Sequence, residues 1–592
     1  MISFLRWARD IGLGVLNGIA KLVVFLVLVG VVLALFGLSR GDGLPSKMVL
    51  NLDLRNSPPD SSTAPAFGFE RRTPAVMDTV LALDRAGRDS RVKGLLLQVG
   101  RGGLSVAQAE EIGAALVRFR ATGRFVIAYA GGFLDTGLGD YLAAASADQI
   151  WMQPKSPFGP AGPAVGGVYL RGLFDKVQAV PQIVKRADFK SAADMYMEKG
   201  RTDPDRLQTT AFLQSWYDSA VAAIASYRRI DPKAVIATFQ SSPQFAEDAQ
   251  RAHLIDRLGY DDEAKDAAQA RGGNAKLVSF GKYDNSTEEA ASLAGGGPKV
   301  ALIEAAGEIV DGSADRSVFG GSTVIAGDDY AEAFRKATRD SSIKAILFRV
   351  DSPGGSVTAS DQILDAVKKA QAAGKPVIVS MGPLAASGGY YVSCSANKIV
   401  AEPATLTGSI GVLTGKVSLG KSLGLIGVGA DDIGIGKNAL FDSGIDPYTP
   451  DQLANLNAQA DTIYGDFLRK VATGRKLPLA KVQEIAKGRV WTGADAAPRG
   501  LVDELGTFWT AVGEVKKAIG VSPEQRLTFK RYPERENFLD ALNDLLGGTE
   551  MGMRTMQGMA TLLQAPVAKE VVGALGSMPQ GRVELRATNL PQ

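Results

Sequence analysis

Two residue types that catalysis often relies on are nearly missing from this chain. Its 592 residues include one histidine and one cysteine. A single cysteine excludes an intramolecular disulfide. Cys394 lies in Tyr390-Tyr-Val-Ser-Cys-Ser395, whose small and apolar neighbours read as the surroundings of a buried structural thiol. A Ser-His-Asp triad would have to use His253, which falls in a short connector before Leu254-Ile255-Asp256. Metal sites without His and Cys need clustered carboxylates; none stand out, so no metal and no cofactor is expected. Basic clusters are also lacking. With 66 Lys+Arg against 63 Asp+Glu the net charge is only +3, which argues against a nucleic-acid partner. A hydrolase built from this sequence takes its base from something other than histidine.

Long apolar runs are scarce, with one exception near the start. Leu22 to Leu38 is 17 residues without a charge, and Gly18-Ile19-Ala20 extends it if Lys21 snorkels. Arg6, Arg9 and Lys21 precede the run, while Arg40 is offset by Asp42. The positive-inside rule therefore leaves the N-terminus cytoplasmic and exports the bulk of the chain. A cleaved signal peptide is the rival reading, but Phe36-Gly-Leu-Ser-Arg40 is a poor small-x-small cleavage site. The expectation is an uncleaved anchor within 1–40, with its helix at about 18–38.

The chain beyond it is a duplication. Lys93-Gly-Leu-Leu-Leu-Gln-Val-Gly100 aligns with Lys344-Ala-Ile-Leu-Phe-Arg-Val-Asp351 at an offset of 344−93 = 251. After a two-residue slip Ile150/Ile399 pair at 249, and Ile255-Asp256 and Val502-Asp503 at 247. Continuous apolar strands alternating with helices predict an α/β fold with a parallel sheet covered on both faces. The expected domains are 41–283, a Gly/Ser-rich linker over 284–298, 299–527, and a Met-rich extension over 528–592. Within this register Ser387 falls on Thr136, and Asp351-Ser-Pro-Gly-Gly355 on Gly100-Arg-Gly-Gly-Leu104. Only the second copy keeps a candidate site.

That site has two parts, each at the carboxyl end of a predicted strand. Glycines in Asp351-Ser-Pro-Gly-Gly-Ser356 let the backbone turn sharply and aim N–H groups into a cleft, as an oxyanion hole requires. Small residues around Ser387 in Leu384-Ala-Ala-Ser-Gly-Gly-Tyr390 leave its hydroxyl room. Each segment alone also fits tight packing; the pair together favours a nucleophile site. A serine nucleophile needs a base, and a lysine is the natural candidate here. Such a lysine must sit in an apolar enclosure that lowers its pKa by roughly 3 units from about 10.4.

Gly382-x-Leu-Ala-Ala-Ser-Gly-Gly-Tyr-Tyr391 after Asp-Ser-Pro-Gly-Gly, followed by Leu406-Thr-Gly-Ser-Ile-Gly411, resembles the signal peptide peptidase A (protease IV) family in its long, duplicated, anchored form. The resemblance runs from Leu22 to about Ile519. It implies two tandem ClpP/crotonase-like domains and a Ser/Lys dyad that cleaves released signal peptides and other apolar peptides. It also implies a membrane-anchored homotetramer at the bacterial inner membrane, with the catalytic domains on the periplasmic side. By motif position Ser387 is the nucleophile and Lys190, in Asp188-Phe-Lys-Ser-Ala192, the base. Ser409 matches the hydroxyl that orients the lysine, and Gly354, Gly355 and Gly388 fit the oxyanion donors. Lys437 is an alternative base. It lies opposite Lys190 at offset 247 and 437−387 = 50 residues after Ser387, a spacing like that of short family members, which take both residues from one copy. The competing readings are a crotonase-like acyl-CoA enzyme, which shares Gly-rich oxyanion turns, and an inactive membrane scaffold derived from a hydrolase.

Overall fold

Strand pairing repeats almost residue for residue between the two halves. A computed structural model of the chain describes residues 42–61, 74–101, 103–134, 137–293, 296–314, 324–533 and 584–586. Met48–Asp53 pairs in parallel with Val92–Val99, and that strand with Phe125–Ala130; Leu95 faces Val126. In the second half Lys299–Ala306 pairs with Ile343–Ser352, and that strand with Val377–Ala386; Ile346 faces Val377. Both equivalences are the 251-residue offset.

The first sheet has six parallel strands. The second, of eight strands, repeats the same six in the same order and adds 406–408 beside 377–386, with 490–492 antiparallel to 406–408. The first runs 257–258, 149–152, 125–130, 92–99, 48–53, 276–279, and the second 504–505, 398–401, 377–386, 343–352, 299–306, 528–532. In both, an aspartate at the same place accepts a strand N–H: Asp256 from Ile150 and Asp503 from Ile399. The alternating apolar strands and amphipathic helices bury large shared cores.

Two expected boundaries move. The predicted linker at 284 begins inside a helix, Phe280–Leu293. Phe280 and Tyr283 are buried in the first core and Asp284 pairs with Arg85, so packing overrides the loop-like Asp-Asn-Ser-Thr composition. Thr528–Tyr532, expected in the extension, is instead the last strand of the second sheet and pairs with 299–303. The anchor at 18–38 lies outside the described residues, and so does the extension beyond 533 except for 584–586. Among the described residues no helix is long and apolar enough to cross a membrane.

A third sheet joins the copies. Its order is 324–326, 308–310, 354–356, 584–586, 412–418, 180–186. Val180–Arg186 belongs to the first copy, yet it forms a seven-residue antiparallel ladder with Val412–Ser418 of the second. Antiparallel register then carries the chain past Arg186, opposite Val412, toward Ser409. The first copy thereby delivers residues 187–191 into the second copy's cleft.

Candidate active site

Ser387 ends the strand 377–386 and caps the helix Gly388–Ser393. Its φ of 55° and ψ of −114° are strained for a side-chain-bearing residue. The conformation is held from both sides: its N–H donates to Gly408 O at 2.9 Å, and its own carbonyl accepts from Tyr391 N at 2.8 Å. Gly388 must stay small, because a Cβ there would stand 2.9 Å from Ser360 Oγ and 3.0 Å from Gly354 Cα.

Lys190 reaches this serine from the other copy. Its Nζ lies 2.8 Å from Ser387 Oγ, 3.0 Å from Ser409 Oγ and 3.2 Å from Ser409 O. All three residues are buried, Lys190 at 1 % exposure. Burial alone pushes the Lys190 ammonium down from 10.5 to about 7, equivalent to roughly 5 kcal/mol against the charged form. Among the described residues no carboxylate offsets it. Ser409, with a φ of 50°, is fixed by its N–H to Arg489 O at 2.7 Å.

The motif residues converge, with one exception. Gly354 and Gly355 lie in the third sheet with positive φ; the Gly354 N–H donates to Ser352 Oγ at 3.1 Å. Lys437 does not come near them. Its side chain is 75 % exposed, and its ion pair with Asp451 at 2.8 Å holds its pKa above the usual lysine value. In the second copy the segment equivalent to 180–186 forms no strand, and Ile433 and Ile435 stand in solvent. Lys437 therefore has nothing to carry it inward.

The turn 487–490 gave no signal in the sequence, yet it encloses the lysine. Phe189 N donates to Lys487 O at 3.1 Å, and the Arg489 guanidinium lies over the Phe189 ring at 5.0 Å. Gly488, at φ 70°, has no room for a Cβ, which would stand 2.7 Å from Lys190 N. Cys394 is buried, as its neighbours imply, and burial raises its thiol to about 11.

The first copy's matching turn is already filled. Tyr141 and Tyr390 donate to the equivalent carbonyls of Leu254 and Leu501. This puts the two-residue slip ahead of the helix, so Leu138, rather than Thr136, stands opposite Ser387; Thr136 lies outside the described residues. One residue further than Gly388's counterpart, Asp140 occupies the place of Gly389. Its buried carboxylate accepts from Gly100 N at 2.9 Å and Leu104 N at 3.0 Å. Leu104 aligns with Gly355, so the first copy's version of the glycine turn holds a resident anion.

The model of peptidase family S49 matches residues 118–274 and 369–522, one stretch in each copy, and a Clp protease model matches 331–405. "Protease 4" of Salmonella typhi is 30 % identical over 529 residues, 88 % of this chain and 82 % of that protein. "Protease 4" of Haemophilus influenzae is 29 % identical over 513 residues, 84 % and 81 % of the two chains. The chloroplastic "Serine protease SPPA" of Arabidopsis thaliana is 30 % identical over 482 residues, 80 % and 70 %. Fold and matches together define a serine-type peptidase with two ClpP/crotonase-like domains. The chain belongs to peptidase family S49.

Proposed function

We propose that the chain is a membrane-anchored serine endopeptidase whose Ser/Lys dyad is assembled across its two copies. The observation that carries this is the buried Lys190 Nζ, 2.8 Å from Ser387 Oγ and without a carboxylate partner among the described residues. A lysine with a pKa near neutrality is neutral often enough to take a proton at pH 7. Neutral Lys190 accepts the Ser387 proton as Oγ attacks the scissile carbonyl. Lys190 then returns that proton to the leaving amine, and an acyl-enzyme remains. A water, deprotonated by Lys190, releases the acyl group and regenerates Ser387. Ser409 supplies the hydroxyl and carbonyl that hold Nζ on this line. Gly355 and Gly388 offer N–H groups to the oxyanion; Gly354 joins them if its N–H leaves Ser352.

An extended substrate fits the cleft's edges. Strand 584–586 of the chain's own C-terminal region already runs antiparallel to 354–356 and bridges to Leu413. A peptide taking the place of 584–586 would be held by its backbone between the same two strands. Released signal peptides and other apolar peptides are the substrate class carried over from the family resemblance. The homotetramer and the periplasmic placement of the catalytic domains rest on that resemblance as well.

The test is cleavage of a quenched apolar peptide. Ser387→Ala and Lys190→Ala should each lose at least about 100-fold in kcat, the low end for a general base, with circular dichroism unchanged. Lys437→Ala should retain most activity. Equal losses in Lys437→Ala and Ser387→Ala would overturn the assignment of the base. Binding of CoA to the wild type would favour the acyl-CoA reading instead.

A further inference from the structure

Gln208 has no counterpart of its kind in the second copy. It lies in the helix Asp203–Arg228, whose equivalent is the equally long Pro450–Arg475 at offset 247. There the matching residue, Asn455, is exposed, whereas Gln208 is 2 % exposed. Burying an amide costs free energy unless each end finds a partner. Both ends of Gln208 do. Its Nε2 donates to Phe189 O at 3.1 Å and Ser191 Oγ at 2.8 Å, with a longer contact to Asp205 Oδ1 at 3.4 Å. Its Oε1 accepts from Val490 N at 3.2 Å. Because Val490 can only donate and Phe189 O can only accept, a single orientation of the amide fits.

These partners bracket the dyad. Phe189 and Ser191 are the residues on either side of Lys190. Val490 follows Arg489, whose carbonyl holds Ser409 N, and it pairs with Gly408, which holds Ser387 N. One side chain thus ties the lysine's own backbone to the strand that fixes both hydroxyls. Accepting Lys190 as the base, we propose that Gln208 is the positioning residue for that lysine, setting the distance between the halves of a dyad that come from different copies.

The experiment compares full-length wild type, Gln208→Leu, Ser191→Ala and Lys190→Ala on a quenched apolar peptide between pH 5 and 9. Leucine keeps the bulk and removes every hydrogen bond. Gln208→Leu should lower kcat about 10- to 100-fold with KM little changed, as a displaced catalytic group does. The acid-side midpoint of kcat/KM should also move to higher pH, because an amine released from its dry seat regains water. Ser191→Ala, which removes one of the bonds, should shift the midpoint the same way by less. A purely structural role would instead lower the melting temperature and the active fraction with the midpoint unmoved, and that result overturns the proposal. Should Gln208→Leu fail to fold, Ser191→Ala decides: a shifted midpoint supports positioning, and a wild-type profile refutes it. Full activity in Lys190→Ala would refute the base assignment itself, a separate failure from that of Gln208.

Discussion

At the scale of the residue, the proposed dyad depends on denying Lys190 water. Its pKa of about 7 in the fold, against 10.5 for the free side chain, has two measurable consequences. Activity should rise as pH passes through about 7, since the proposed mechanism works through the neutral amine. Stability follows the same group. Below pH 7 the unfolded chain and the fold both hold the proton, and the buried ammonium exerts its full destabilisation of roughly 5 kcal/mol. Between pH 7 and 10.5 the fold has released the proton and the unfolded chain has not, so the penalty fades as pH rises. Lys190→Met should accordingly melt well above wild type at pH 6, and the gap should close toward pH 10; thermal melts at both pH values check it. A gap independent of pH would mean that Lys190 is not desolvated as described. Ser387 was legible from its small neighbours and the strand before it. Between Lys190 and Lys437, which occupy the same repeat position, only the Phe-Lys-Ser-Ala motif favoured Lys190 in the sequence. What separates them is burial, 1 % exposure of Lys190 against a 75 % exposed Lys437 side chain, and burial depends on which strand finds a partner.

Elements decide that partnership. The ladders of 48–53, 92–99 and 125–130 follow from continuous apolar runs, and their register recurs in the second copy at the repeat offset. The exchange of 180–186 into the other copy's sheet did not follow, because Val180-Pro-Gln-Ile-Val-Lys-Arg186 reads as an ordinary strand and sequence does not say whose edge it meets. Likewise Lys487-Gly-Arg-Val490 reads as a plain turn, although it lies against the lysine. Gly488→Ala tests that contact. Alanine at φ 70° costs about 1 kcal/mol or more, and its methyl would stand 2.7 Å from Lys190 N. We expect at least a 10-fold loss of kcat, on the scale of a displaced catalytic group, with the peptide KM nearly unchanged. Gly273→Ala, at a φ of 72° with nothing within 4 Å of its Cβ, is the control for backbone strain alone.

Over the whole molecule the copies are joined by buried charge. Arg349 of the second copy donates to Asp60 of the first through Nε at 3.0 Å and Nη2 at 2.8 Å, and to Glu111 at 3.0 Å. Burial, with Asp60 beside it, raises Asp351 to about 7, and burial beside Glu111 drives Glu402 well above the usual carboxylate range. Arg349→Met would leave Asp60 and Glu111 buried without their cation. It should cost about 3–5 kcal/mol at neutral pH. The deficit should shrink in acid, because carboxylates whose folded pKa rises take up protons more readily in the fold than in the unfolded chain. Denaturant midpoints at pH 8 and pH 5 measure both. On the proposed assignment the seam makes one centre from two similar halves, and Asp140 closes the matching place in the first copy. A serine placed at Leu138 would meet amides already committed to a carboxylate, and removing Asp140 alone would leave the turn with no nucleophile. Neither change alone supplies both a nucleophile and free amides, so no single substitution makes the first copy a second centre.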